Sequence, residues 1–218
     1  ILWRYRYKNT KASYKPTWEY SFGLDALMWG IPIIITLILS KLLWHEVKSL
    51  DPYRPIASEH PVTEIQVIGL DWKWLFIYPE YNIATVGEIA VPVDRPIHFQ
   101  LTSDTVMQSF TISALGGQIY AMPGMETQLN LIADREGTYE GENTQFNGDG
   151  FALQKFKANV LSSNAFDLWI KDVKSKGIPL DAANYKILGQ RSTGVVASRD
   201  LGQSNEDDNI YFSTVDDG

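Results

Sequence analysis

The sequence contains no cysteine and only three histidines among its 218 residues. Without cysteine, the chain can form neither a disulfide nor a thiolate site for copper, zinc or an iron–sulfur cluster. The histidines, His45, His60 and His98, are far apart, and none has a second ligand at a spacing typical of a zinc or copper site. The sequence therefore predicts that this chain binds no metal.

One long apolar run, residues 26–40, dominates the N-terminal part of the chain. A helix over residues 23–44 would be long enough to cross the hydrocarbon core of a bilayer, and Trp29 and Trp44 suit its two interfaces. The alternative is a buried helix of a soluble protein, which Pro32 inside a β-branched run disfavours. We predict a transmembrane helix over 23–44, followed by a linker over 45–60.

The residues before this helix are basic. They hold five Lys or Arg side chains and one acid, so the positive-inside rule places residues 1–22 in the cytoplasm and the large C-terminal part outside. The whole chain has a net charge of −7, so the exterior part is acidic and does not suit nucleic-acid binding. The apolar start at residues 1–3 predicts the end of a first membrane helix ahead of the basic cytoplasmic loop.

Residues 61–161 have a β pattern. Segments such as TEIQVIG, PIHFQLTS, TQLNLIA and QKFKANV alternate apolar and polar residues over one strand length, and Pro and Gly separate them. Several short strands at this spacing predict a Greek-key sandwich or barrel.

One strand in this region, DWKWLFIYPE, is unusually aromatic. Trp72, Trp74, Phe76 and Tyr78 share one parity and hence one face, whereas the other face carries Leu75 and Ile77. The pattern favours a strand covered on both sides, with the aromatic side chains either in the core or on the lipid headgroup layer.

The C-terminal part begins with an amphipathic pattern. SNAFDLWIKDVKSKG has a capping Ser or Asn and a stripe of apolar residues, and it stops at Gly177. We predict a helical segment over 162–190, with its first helix packed on the β domain. Residues 191–218 are rich in Ser, Asp, Asn and Gly and are predicted to form a loosely ordered or partner-dependent polar tail.

Several sequence motifs resemble those of a known family. They are DWKWLFIYPE, IATVGEIAVPVDRPIHF, SDTVMQSF, GGQIYAMPGMETQLNLIA and GTYEG…FKA. Together they resemble subunit II of the bacterial cytochrome bo-type ubiquinol oxidases, in the haem-copper oxidase superfamily, over roughly residues 1 to 175. The resemblance implies a mainly β, cupredoxin-like Greek-key barrel or sandwich on a transmembrane helix anchor, with a C-terminal amphipathic helix.

In the related cytochrome c oxidases, the loop corresponding to residues 138–157 holds a dinuclear copper centre bound by Cys, His, Met and Glu residues. The resemblance places the upstream ligand position at Gln108 and the loop positions at Asn143, Gln145, Asn147, Phe151 and Gln154. None of these side chains is a thiolate or an imidazole, which such a site needs. We therefore predict vacated ligand positions in an empty, hydrogen-bonded loop.

Asp25 is the candidate for a role in proton uptake. It lies seven residues before Pro32, at the cytoplasmic end of the predicted helix. In related oxidases, a Glu of subunit II at this place lies near the mouth of a proton pathway of subunit I; Asp is one methylene shorter. An acid that complements the helix dipole explains Asp25 equally well.

The resemblance implies a non-redox structural subunit of a proton-pumping ubiquinol oxidase in the bacterial inner membrane, with the β domain in the periplasm. Haems and copper are then expected in subunit I, ubiquinol is the substrate of the complex, and cytochrome c is not a partner. The partners would be subunit I, other membrane subunits and lipid, with Trp72, Trp74, Phe76 and Tyr78 on the docking surface. The alternative is a membrane-anchored periplasmic β-sandwich that binds a ligand unrelated to respiration.

Overall fold

The computed structural model of the chain describes residues 4–13, 16–203 and 208–216. The chain divides into two compact units, Ile1–Leu50 and Asp51–Gly218. The predicted end of a first membrane helix, at residues 1–3, lies outside the described residues.

The first unit contains one long helix, α1 (Phe22–Ser49). Ser21 caps it by accepting a hydrogen bond from the Leu24 backbone amide, and Pro32 lies within it. None of its residues is buried, so a continuous apolar surface is exposed all round. By length and composition it is the one helix of the described chain that could cross a membrane. It runs five residues past the predicted end at Trp44.

The second unit is built mainly of strands. In chain order its elements are β1 (Thr63–Leu70), β2 (Lys73–Tyr78), β3 (Ile83–Val86), β4 (Glu88–Pro92), β5 (Pro96–Ser103), β6 (Gln108–Ile112), β7 (Gln118–Ala121), β8 (Thr127–Ile132), β9 (Gly137–Asn143), β10 (Lys155–Leu161), α2 (Ser163–Lys176), β11 (Ile178–Leu180), α3 (Ala182–Leu188), α4 (Gly194–Asp200) and β12 (Ile210–Val215).

The strands form two sheets. The first has the order β11-β12-β3-β2-β1-β5-β8, and the second has the order β4-β10-β9-β6-β7. Pairing is antiparallel except for β1 with β5, β4 with β10, and β11 with β12, which are parallel. The non-sequential strand order and the alternating burial of residues along β1 and β8 give the sandwich that the sequence predicted.

Aromatic rings fill the main core of the sandwich. Phe110 of β6 stacks on Phe156 of β10 with ring centroids 5.3 Å apart, and Trp74 meets the Phe110 ring edge-on at 5.4 Å. Phe76 contacts Phe156 at 4.9 Å. Such ring pairs add stability beyond the burial of apolar area, so this cluster fixes the spacing of the two sheets.

The docking surface predicted on strand β2 is wrong for three of its four residues. Trp74, Phe76 and Tyr78 lie in the main core and are at most 1 % exposed, so they cannot contact a partner. Strand β2 is covered on both faces, as the pattern indicated, because Leu75 belongs to a second core. Trp72 differs because it precedes the strand in a left-handed turn (φ 62°), which leaves its side chain partly exposed.

The C-terminal part only partly follows the prediction. Helix α2 is amphipathic, with Phe166, Ile170 and Val173 buried. The predicted loose tail, however, contains α4 and β12, and β12 pairs with β3 inside the first sheet. Ile210 and Phe212 are fully buried in the second core. The short run IYFSTV, placed in a stretch otherwise rich in Ser, Asp, Asn and Gly, was not predicted as a strand, but its Ile210 and Phe212 complete the second core.

The burial of Phe212 makes a testable prediction for the tail. Phe212→Ala should destabilise the protein by about 3–5 kcal/mol, because truncating a buried Phe leaves a cavity. Leu168→Ala on α2 is the control: its side chain is 65 % exposed, so a change within about 0.5 kcal/mol is expected. Thermal unfolding of the purified chain in detergent, followed by tryptophan fluorescence, compares the two. Equal melting temperatures would contradict the assignment of β12 to the core.

Candidate functional site

The candidate site is the loop of residues 144–154, which connects β9 to β10. The two ends of the loop meet, since the Asn143 backbone amide donates to the Gln154 carbonyl at 3.2 Å. The Thr144 amide donates to the Ser109 carbonyl at 3.0 Å, which ties the loop to β6. The start of β6, where Gln108 lies, is thereby brought beside the loop.

The carboxamide of Gln154 is the centre of a buried network. Its Oε1 accepts hydrogen bonds from Asn143 Nδ2 at 3.0 Å and from Asn147 Nδ2 at 2.7 Å. Its Nε2 donates to Gln108 Oε1 and, at 3.4 Å, to the Lys73 carbonyl. One side chain thus connects the loop to β6 and to β2.

The amides around Gln154 are themselves paired. Gln108 Nε2 donates to the Leu70 carbonyl at 3.0 Å. Asn143 Oδ1 accepts from the backbone amides of Ser109 (2.9 Å) and Gln145 (3.0 Å). Gln108, Asn143 and Gln154 are all at most 3 % exposed. Buried carboxamides are stable only when their donors and acceptors are matched, and these three are matched to one another and to the backbone, whereas the buried Oδ1 of Asn147 has no partner among the described residues.

Two of the predicted positions do not join the network through their side chains. Gln145 takes part through its backbone, because its carbonyl accepts from Asn143 Nδ2 at 2.8 Å. Phe151 packs against Phe146 at the surface of the loop, with ring centroids 5.7 Å apart. The structure therefore brings four of the six positions together by side-chain hydrogen bonds and places the other two at the edge.

These residues do not fit a dinuclear copper centre. Such a centre needs thiolates and imidazoles, whereas the six positions present carboxamides and one phenyl ring. The side-chain amide groups of Asn143, Asn147 and Gln154 are also engaged in hydrogen bonds with the carboxamide oxygens of this network. Over the part of the chain that the structure describes, no group of three or more His, Asp or Glu side chains could hold a metal ion.

The sequence did not predict that the side chain of Trp72 covers this loop. The indole of Trp72 donates from Nε1 to the Asn147 carbonyl at 3.3 Å, and a Cβ at Gly150 would lie only 2.2 Å from its ring. The guanidinium of Arg191 lies over the same ring, 4.9 Å from its centroid. The glycines of the loop were the available signal, since glycine often marks a close approach by another group.

Asp25 lies in the first turn of α1, three residues after Phe22, where the helix begins. An acid in this position complements the positive end of the helix dipole. The location is thus compatible with both interpretations of Asp25, and its role in proton uptake stays a prediction.

Comparisons with known proteins relate the whole site to one family. Residues 83–155, which include all six loop and β6 positions, match the family model described as cytochrome c oxidase subunit II, periplasmic domain. The chain is 47 % identical over 192 residues to cytochrome bo(3) ubiquinol oxidase subunit 2 of Pseudomonas putida, covering 88 % of this chain and 61 % of that one. The chain is thus similar to ubiquinol oxidase subunit 2 over most of its own length.

A second relative and a solved structure show the same resemblance. Ubiquinol oxidase subunit 2 of Acetobacter aceti is 44 % identical, over 90 % of this chain and 64 % of its own length. The chain thus spans about three fifths of the length of these relatives. The periplasmic domain of cytochrome oxidase subunit II of Bradyrhizobium japonicum superimposes with a TM-score of 0.52 at 23 % identity, over 56 % of this chain and 99 % of that domain. The likeness confirms the predicted cupredoxin-like fold of this chain.

The amide network can be tested at its centre. Gln154→Met keeps the shape of the side chain but leaves Asn147 Nδ2 and Gln108 Oε1 without these partners. Each buried group that loses its partner costs about 1–3 kcal/mol, so the melting temperature should fall by on the order of 10 °C.

Gln145→Met is the matched control for Gln154→Met. The same change is made in the same loop, but the hydrogen bonds of Gln145 described above come from its backbone. Differential scanning fluorimetry of the two variants in detergent gives the comparison. An equal loss of stability in both would contradict the central role of the Gln154 carboxamide.

Proposed function

We propose that the chain is a non-redox, structural subunit of a proton-pumping ubiquinol oxidase. The complex would oxidise ubiquinol and reduce oxygen to water, while this chain would carry no electrons. The haems and the copper of the oxygen site would belong to subunit I. The relatives named as ubiquinol oxidase subunit 2 support this function for the complex.

The observation that carries the proposal is the amide network in the loop between β9 and β10. In the related cytochrome c oxidases, the corresponding copper-bearing loop accepts electrons from cytochrome c. Here the Gln154 carboxamide bonds to Asn143, Asn147 and Gln108 at the corresponding positions. Because carboxamides have no accessible redox chemistry and are poor ligands for copper, electrons would have to enter the complex elsewhere. A membrane quinol that reacts in subunit I meets this condition.

The anchor follows from helix α1. Its apolar side chains are exposed along its whole length, so the helix requires lipid or other membrane helices around it. We propose that it docks against subunit I in the bacterial inner membrane and that the β-sandwich lies in the periplasm. Of the four aromatic residues predicted to form the docking surface, only Trp72 retains partial exposure and stays a candidate.

The proposal predicts which electron donor the complex accepts. A complex purified from membranes through a tag on this chain should consume oxygen with ubiquinol and not with reduced cytochrome c, and it should contain the copper of the oxygen site alone. Metal analysis and oxygen-electrode assays give both quantities. Cytochrome c activity or additional copper would overturn the absence of redox chemistry in this chain. A tagged chain that purifies without a haem-bearing partner would instead favour the free-standing binding module.

Asp25 gives a second prediction for the purified complex. If its carboxylate lies at the entrance of a proton pathway, Asp25→Asn should lower the rate of oxygen consumption severalfold because the amide cannot carry a proton. Asp25→Glu should restore the rate, since it keeps the acid. Glu19→Gln, an exposed acid ahead of the helix, is the control. Unchanged turnover and proton pumping in Asp25→Asn would leave Asp25 as a helix-dipole acid only.

A further inference from the structure

Lys73 is a buried cation next to the amide-filled loop. Its side chain starts in β2, the residue is only 3 % exposed, and none of the ion pairs found among the described residues involves it. Burial lowers the pKa of Lys73 to about 8, an effect that Asp71 partly opposes. A charge in such a place needs compensation from hydrogen bonds, because removal from water is costly.

The compensation comes from a cage of four oxygens. Lys73 Nζ donates to the carbonyls of Asp71 (3.1 Å), Gln190 (2.9 Å) and Ser192 (2.8 Å) and to Ser192 Oγ (3.2 Å). Ser192 Oγ in turn donates to the Gln190 carbonyl at 3.3 Å. All these acceptors are neutral oxygens, so the ammonium charge is compensated by hydrogen bonds alone.

Three of the four oxygens belong to residues 190–192, a segment that connects α3 to α4. The segment lies outside every helix and strand. Arg191 in its middle stacks on Trp72, which in turn covers the loop at Gly150. The segment is therefore held against the turn before β2 by Lys73 on one side and Trp72 on the other.

The same lysine also contacts the vacated loop through its backbone. The Lys73 carbonyl accepts a hydrogen bond from Gln154 Nε2 at 3.4 Å, so the network centre and the oxygen cage share one residue. We propose that the Lys73 ammonium acts as the resident cation of this oxygen cage and fastens the segment 190–192 over the amide-filled loop. Lys73 is in this sense a positioning residue, and the cage is a site for an ammonium-type cation.

Limited trypsin digestion of the full chain in detergent, near pH 7, tests the proposal, because trypsin cleaves after Arg191 only when the segment leaves the cage. Lys73→Ala and Lys73→Met should each accelerate this cleavage at least about tenfold, since both remove several hydrogen bonds from a charged donor. Cleavage after Lys176, at the end of α2, is the internal reference and should not change. Lys155→Ala removes an exposed lysine that pairs with Glu140 and should leave both rates unchanged.

Chemical rescue distinguishes a cation from simple packing. Lys73→Ala leaves room for the missing stem, so added n-propylammonium should slow cleavage after Arg191 back toward the wild-type rate. Neutral n-propanol of the same size should not. In Lys73→Met the methionine side chain fills the space of the lysine stem, so neither compound should change the rate of cleavage after Arg191.

Four results would overturn the proposal. Wild-type cleavage in Lys73→Met would mean that the stem alone holds the segment. Equal rescue of Lys73→Ala by n-propanol, or no rescue by n-propylammonium, would mean that the cage does not select a cation. A parallel rise in cleavage after Lys176 would mean that Lys73 supports the whole fold rather than this segment.

Discussion

The buried carboxamide of Gln154 is the group on which the arrangement of the loop between β9 and β10 depends. It donates to β6 and β2 and accepts from Asn143 at the end of β9 and from Asn147 of the loop. A carboxamide can do this because it offers two donors and an acceptor with two lone pairs in one plane. A metal centre organises a loop by drawing several ligands to one point, and here a planar amide draws several amides to one point instead.

This replacement has a chemical consequence. In a metal site the ligand atoms must present lone pairs inward, whereas in the network donors and acceptors alternate and satisfy each other. Copper could enter only after several buried hydrogen bonds were broken, and it would then meet ligands that it does not prefer. Such side chains do not suit electron transfer, which agrees with the quinol donor proposed for the complex.

The C-terminal part of the chain completes the sandwich around this site. Strand β12 closes the second core with Ile210 and Phe212. Glu88 at the start of β4 receives hydrogen bonds from Trp169 of α2 (3.0 Å) and Tyr211 of β12 (2.8 Å), which joins both C-terminal elements to the second sheet. The C-terminal part also supplies three of the four oxygens around Lys73 and the Arg191 guanidinium that lies over Trp72. Residues far apart in sequence thus hold one loop from two sides.

The sequence by itself determined the features that depend on local pattern or composition. The apolar run before Trp44, the alternation in strands such as β8, the amphipathic stripe of α2 and the absence of soft ligands at Gln108 and Gln154 are all readable along the chain. Only the tertiary structure decided which polar stretch pairs as a strand, which of the two cores each face of β2 enters, and where Lys73 finds its acceptors. Lys73 and Ser192 are 119 residues apart, and no local signal connects them. Their contact depends on how the two sheets and the short C-terminal elements pack together. The free energy of that packing, rather than local propensity, determined where Lys73 and Ser192 lie.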